Sequence, residues 1–256
     1  MDTKSNELFW SATIEEIENG FVEKDDECKC IICGETFEKG RIYEINSNLY
    51  DAKKAALLHV QEKHGSMLQY LLDMNSDFTG LSDMQKKLLS VMSQGLSDKE
   101  AAEKLGIAQS TVRNHRYKLR EKEKQARLFL AIMDLLSKCT NKNINKLDKG
   151  TLCDPHKTAT AVDDRYNVSD KEREDIIKSY IDQNGALKNY PTKEKKKIVV
   201  LSEIAKNFSQ GRIYPEKEVN RILKRIYEDY VTLRRELINY GFIERTNDCT
   251  SYWVKE

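Results

Sequence analysis

Two S-x-x-E/Q boxes, Ser82 with Gln85 and Ser97 with Glu100, commit the middle of this chain to short helices. In such a box the serine hydroxyl accepts the N–H of the third helical residue, and that residue's side chain reaches back to the serine N–H. Between the boxes Leu88, Leu89, Val91 and Met92 recur at helical spacing, and Gly95 can take the left-handed conformation that closes a helix. The second helix carries Ala101, Ala102 and Leu105 inward and stops at Gly106, with Ile107 plugging the turn. Ser110 is expected to cap a third helix beginning Thr111-Val112-Arg113-Asn114-His115-Arg116. Three short helices joined by tight turns predict a helix-turn-helix.

On the third helix Val112 and Leu119 are spaced to face the core, while Arg113, Asn114 and Tyr117 fall on the opposite face. Arg can bind guanine and Asn adenine in bidentate fashion, each worth roughly 1–3 kcal/mol of discrimination. Ser110, Thr111 and Lys99 lie near helix N-termini, where phosphates are held. Arg116 and Lys118 add positive charge to the same helix. The candidate DNA contacts are therefore Lys99, Ser110, Thr111, Arg113, Asn114, Arg116, Tyr117 and Lys118.

The run Gln94-Gly-Leu-Ser-Asp-Lys-Glu-Ala-Ala-Glu-Lys-Leu-Gly-Ile-Ala-Gln-Ser-Thr-Val-Arg-Asn-His-Arg, within 81–119, resembles the LuxR/GerE type of bacterial helix-turn-helix. That resemblance implies a bacterial transcription regulator whose third helix, 110–119, enters the major groove of double-stranded DNA. The family usually carries a basic residue where Tyr117 stands, and His115 matches a histidine common in it. For His115 packing outweighs base contact.

Downstream, no helix breaker intervenes through Lys138. Leu119, Lys122, Ala126, Phe129, Met133 and Leu136 alternate at intervals of three and four, the a/d spacing of a short coiled coil. This stripe over 119–136 is either a homodimer seam or a surface that packs on the protein's own domains. A dimer would place two recognition helices one DNA turn apart.

The first eighty residues have a different chemistry. Cys30-Ile31-Ile32-Cys33-Gly34 is a C-x-x-C knuckle, and His59 and His64 lie on a segment, 51–74, that reads as one helix. Two thiolates and two imidazoles make a closed tetrahedral site, the kind a small module without a large core needs. Zinc is the expected cofactor, in a structural role, with Cys30, Cys33, His59 and His64 as ligands. Phe37, Ile42 and Tyr43 are expected in a hairpin against the helix, with extra length through Asn46 to Tyr50. The arrangement resembles a Cys2His2 zinc finger with a longer insert between Cys33 and His59. Cys28 is either a competing ligand or a thiol of a redox sensor.

Charge is segregated. Residues 1–80 hold 8 Lys and Arg against 16 Asp and Glu, 81–139 hold 12 against 7, and 186–256 hold 15 against 10. A formal net charge of +1 thus hides two basic modules, and binding to nucleic acid depends on the local field within about 8–10 Å. Six cysteines, irregularly spaced and without an export signal, point to thiols and metal ligands in a cytoplasmic protein. No apolar stretch is long enough to span a membrane.

Residues 140–168 read as a linker, polar from Lys142 to Leu152. Cys153-Asp154-Pro155-His156 supplies too few ligands for a second metal. Ser169 and Glu172 box the start of a helix expected to reach about Gln183. Apolar periodicity then gives a helix through Ile198 to Phe208, one after Pro215, and one from Tyr230 to Tyr240. Two alternating segments follow, 241–245 and 251–254. Three helices followed by a hairpin is a winged-helix arrangement. Its motifs Tyr190-Pro191, Glu218-Val219-Asn220, Leu233-Arg-Arg-Glu-Leu237 and Gly241-Phe-Ile-Glu-Arg245 resemble a bacterial domain of unknown function often joined to helix-turn-helix regulators. Lys195, Lys196, Lys197, Arg221, Arg225, Arg234 and Arg235 either hold phosphates there or pair with Glu218, Glu228, Asp229 and Glu236.

The expected fold is a mainly α multidomain chain. It has a small zinc-binding ββα-like module (1–78), a helix-turn-helix unit with a long last helix (79–139), the linker, and a helical, winged-helix-like α+β domain (169–256). No glycine-rich phosphate loop, nucleophile elbow or paired acid/base signature marks an enzyme. Against a DNA reader stands a non-enzymatic adaptor that docks on transcription machinery. Arg113 and Asn114 discriminate between the two.

Overall fold

Thr13 makes a complete capping box with Glu16, which starts α2 (Ile14–Asn19) directly after α1 (Thr3–Ser11). The computed structural model describes residues 3–142, 144 and 151–255, with side chains from Asn6 onward. They divide into two units, Met1–Leu71 with Cys153–Glu256, and Leu72–Leu152. In the first unit α2 ends at Gly20, φ +80°, where a Cβ would lie 2.8 Å from a Val60 methyl; only glycine serves there. Strands β1 (Phe21–Glu23), β2 (Glu27–Cys30) and β3 (Thr36–Glu38) form an antiparallel sheet in that order, with Phe21 opposite Cys30 and Cys28 opposite Phe37.

Strands β4 (Tyr43–Ile45) and β5 (Asn48–Tyr50) make a separate hairpin. Asn46 and Ser47 turn it with positive φ at both positions, as a tight hairpin of this hand requires. Asp51 caps α3 (Ala52–His64). The single helix expected over 51–74 is interrupted. Gly65 adopts φ +74° and Ser66 Oγ accepts the Gln69 N–H, so the chain restarts as α4 (Met67–Asp73). The core of this module is small: Phe21, Cys28, Phe37 and three alanines of α3. Tyr43 packs against it, but Ile42 is exposed, contrary to expectation, because it stands one residue before β4 on the outer side.

The second unit is all helical, with α5 (Ser76–Thr79), α6 (Asp83–Met92), α7 (Asp98–Leu105) and α8 (Gln109–Thr140). Both capping boxes form, and Gly106 closes α7 in the left-handed conformation. Leu88, Val91, Ala101, Ala102 and Val112 are its buried core. The cap of α8 differs from expectation. Ala108 occupies the N-cap without a side-chain hydrogen bond, and Ser110 lies inside the first turn, because the chain leaving Gly106 enters helical geometry two residues early. The helix runs unbroken for 32 residues, with exposed Leu128, Phe129, Leu130, Ile132 and Leu135 in its distal half. Within the expected 119–136 stripe, Leu119 packs on the core and Lys122 donates to the Gly80 carbonyl.

Returning to the first unit, 153–168 is not an open connector. His156, Lys157, Thr158, Ala159, Tyr166 and Val168 are buried. The central part of the expected polar loop, Asn143 and 145–150, lies outside the described residues. Helix α9 (Asp170–Tyr180) is capped by the Ser169 hydroxyl and ends three residues short of expectation, where Asp182 Oδ1 accepts two turn N–H groups. Helix α10 (Glu194–Ala205) also stops early, with Phe208 past its end. A short strand unmarked by periodicity, β6 (Tyr214–Pro215), precedes α11 (Glu216–Ile226) and α12 (Tyr230–Asn239). Strands β7 (Ile243–Arg245) and β8 (Ser251–Val254) complete an antiparallel sheet in the order β6-β8-β7. Nineteen buried side chains, Leu201, Leu233 and Leu237 among them, form one core between these helices and the sheet.

Candidate nucleic-acid interface and metal centre

In the helical unit, Val112 is fully buried while Arg113, Asn114, Tyr117 and Lys118 are exposed on α8. The 3.6-residue period of the helix produces that division: the core contact at Val112 turns its neighbours outward. Lys99 and Ser110 are exposed and Thr111 is half-buried. Arg116 is exposed too, but its Nη1 donates to Asp98 Oδ1 at 2.7 Å, tying α8 to the start of α7. His115 is half-buried, and its Nδ1 is buried with no hydrogen-bond partner. Arg113, Arg116, Tyr117 and Arg120 share a concave surface with Leu89 and Met92 of α6. The first turn of α8 is bare and its polar face is exposed.

In the other unit, Cys30, Cys33, His59 and His64 come together as the sequence spacing predicts. One ligand atom from each lies within 4.8 Å of all the others. Cys33 Sγ is 3.1 Å from His59 Nε2, and the two imidazole rings stand edge to face, 5.1 Å apart. Zinc–sulfur bonds of about 2.3 Å and zinc–nitrogen bonds of about 2.0 Å give tetrahedral edges of about 3.3–3.8 Å. The four ligand atoms are thus positioned to bind a metal ion, and their chemistry is compatible with zinc.

The knuckle chemistry favours a thiolate. A hydrogen bond from Cys33 lowers the Cys30 pKa to about 7, against the opposing effect of burial. Donation to Cys30, and then burial, raise the Cys33 thiol, while His59 and His64 act to lower it. Cys28 is outside this group. It is fully buried in the module's core, and burial raises its pKa, which makes it an inert packing thiol and corrects both its roles as ligand and as redox sensor.

Sequence reasoning missed Lys157. Its side chain is 2 % exposed, and its Nζ donates to the carbonyls of Ile31, at 3.1 Å, and Ile32, the two residues between the cysteines. Its backbone N–H donates to Asn6 Oδ1, and the Pro155 carbonyl accepts from Asn6 and Trp10. On the other side Thr158 Oγ1 donates to the Gly241 carbonyl, and a Cβ on Gly241 would lie 2.2 Å from the Thr158 carbonyl oxygen. The segment thus straps the metal knuckle to the C-terminal domain. Lysine is almost never buried, so no sequence signal marks it. His156, the unused half of the second metal motif, is stacked on Phe242 and bonded to Tyr166 and Thr158.

The basic residues of the C-terminal domain separate into two sets. Lys195 pairs with Glu172, Lys197 with Glu194, Arg221 with Glu218, and Arg234 with Glu216 at 2.5 Å while nearly buried. Lys196 sits over the Tyr180 ring. Arg225 and Arg235 are exposed and make no ion pair among the described residues. The expected partners Glu228 and Asp229 make none either; Asp229 caps α12.

Residues 79–126 match the family described as bacterial regulatory proteins, luxR family. This match supports a DNA-binding transcriptional regulator, a non-enzymatic class. Residues 186–254 match a family described as an uncharacterized protein conserved in bacteria (DUF2087). No curated protein and no solved structure matches the chain. Among the described residues no helix is long and apolar enough to cross a membrane.

Proposed function

We propose that the chain is a sequence-specific DNA-binding regulator of transcription that inserts the start of α8 into the major groove. Arg113 and Asn114 read base edges, Tyr117 makes an additional groove contact, and Lys99, Ser110, Thr111 and Lys118 meet phosphates. Arg116 acts chiefly through its tie to Asp98, which fixes the angle of α8. The observation that carries this reading is the exposed Arg113-Asn114 pair on a luxR-matched helix whose opposite side is sealed by Val112.

Zinc in the Cys30, Cys33, His59 and His64 site would be structural, since four protein ligands leave no position for water or substrate. The apolar distal half of α8 serves a homodimer, a reading supported by the exposed Leu128, Ile132 and Leu135. The C-terminal domain has the order of helices and strands of a winged helix, and Arg225 and Arg235 are its candidates for a second phosphate contact.

The test is binding of Arg113→Ala and Asn114→Ala to a duplex selected by the wild type. Each substitution is expected to reduce the specific-to-nonspecific ratio by about tenfold or more, with little effect on nonspecific affinity. An adaptor that docks on transcription machinery would show no change in either quantity.

A further inference from the structure

A half-open cavity of about 70 Å³ lies where the 153–168 strap crosses α9 and α10. Val168, Ile198, Val199 and Phe242 give it an apolar floor. Two charged side chains also line it, Arg173 from α9 and Asp154 from the strap.

Neither charge is matched. Arg173 Nη2 reaches only the Ser202 hydroxyl, at 3.5 Å, and the neutral Cys153 thiol, and it makes no ion pair among the described residues. Its neighbour Asp170 is no partner; its carboxylate accepts from Cys153. Asp154, an exposed residue, has no hydrogen bond and no ion pair among the described residues, and partial desolvation of its carboxyl, with the like charge of Glu7, raises its pKa. The two groups line one cavity yet stand beyond ion-pair distance of each other. Arg165, Arg212, Arg221 and Arg234 all find a carboxylate, and Arg225 and Arg235, which do not, are exposed, whereas Arg173 is half-buried. Opposite charges held apart above an apolar floor are complementary to a zwitterion with an apolar body. The remaining polar groups of the wall are occupied: Asn6 by the strap backbone, and His156 by Tyr166 and Thr158.

We infer that this cavity binds a free α-amino acid with an apolar side chain, the carboxylate on Arg173 and Ser202, the ammonium on Asp154. The assignment does not depend on DNA recognition, and its test contains no DNA.

Calorimetric titration of the full-length, zinc-loaded chain with L-leucine and L-phenylalanine, and with their D-enantiomers, decides it. Phenylpropionate, which lacks the ammonium, and phenethylamine, which lacks the carboxylate, are the matched controls. Saturable binding of at least one L-amino acid is expected, weakened about tenfold or more by Asp154→Asn and by Arg173→Gln, and by the same order in each control. Asp154 is an exposed residue without a protein partner, so Asp154→Asn keeps the test readable if Arg173→Gln fails to fold. Absence of binding by every zwitterion would overturn the inference. So would full affinity in Asp154→Asn, or a control that binds as tightly as the amino acid.

Discussion

The metal module and the C-terminal domain differ most in how much apolar mass holds them. The cluster around Phe37 in the first has six buried residues, three of them alanine and one a thiol, with Ile31, Ile32 and Val60 buried beside it; the second has nineteen, among them five leucines and two tyrosines. Burial contributes about 25 cal/mol per Å² of apolar surface, so the larger core supports its fold unaided. The smaller one does not reach that scale, and under the proposed reading a metal held by the four residues around Cys33 would supply the missing cross-link. On the proposed reading, a chain short of apolar side chains in one region would substitute coordination chemistry for packing.

The sharpest way to break this comparison is to remove the metal. Chelation, or Cys33→Ser, is expected to unfold the N-terminal module at a cost on the order of 10 kcal/mol, while the C-terminal domain keeps its own transition in a calorimetric scan. A module that melts at the same temperature without zinc would show that its alanine-lined core suffices. The reverse experiment is Leu201→Ala, which hollows a fully buried site. It should cost about 2–5 kcal/mol in chemical denaturation of the C-terminal domain and leave the zinc content of the purified protein unchanged.

Acid sharpens the comparison further. Burial depresses the His156 pKa from its ordinary 6.5 to about 3, so the folded state holds this ring neutral where the unfolded chain would protonate it. Below about pH 6.5 the unfolded state binds the extra proton, so stability falls as pH drops, by up to about 1.4 kcal/mol per pH unit until about pH 3. His156→Gln should flatten that slope in urea titrations at stepped pH. An identical slope in the variant would remove His156 from the account. The smallest effect belongs to the helical unit: Ser97→Ala deletes one capping box and should cost about 0.5–2 kcal/mol, read as a lower melting point of that unit.

The regions also differ in how far their sequences reveal them. The helix-turn-helix was legible because its determinants are local: caps at Ser82 and Ser97, the left-handed Gly106, and the alternation that buries Val112. The four candidate metal ligands were legible because their chemistry leaves few other uses for a C-x-x-C knuckle and two histidines late in one helix. What escaped was long-range. Lys157 looks like any charged residue in a polar stretch, and only folding brings it onto the Ile31 and Ile32 carbonyls. The strand at Tyr214 is too short to show a period, and the break at Gly65 depends on a local cap at Ser66. The pairing of Arg234 with Glu216 is equally a product of two helices meeting.

The measurement that bears most directly on the whole account is selection from a random pool of duplexes by the purified full-length protein at near-physiological salt. Repeated enrichment should converge on a defined base sequence with the wild type and fail to converge with an Arg113→Ala, Asn114→Ala double variant that retains its fold. A wild-type protein that enriches no sequence, or a double variant that enriches the same one, would contradict the assignment of base recognition to the start of α8.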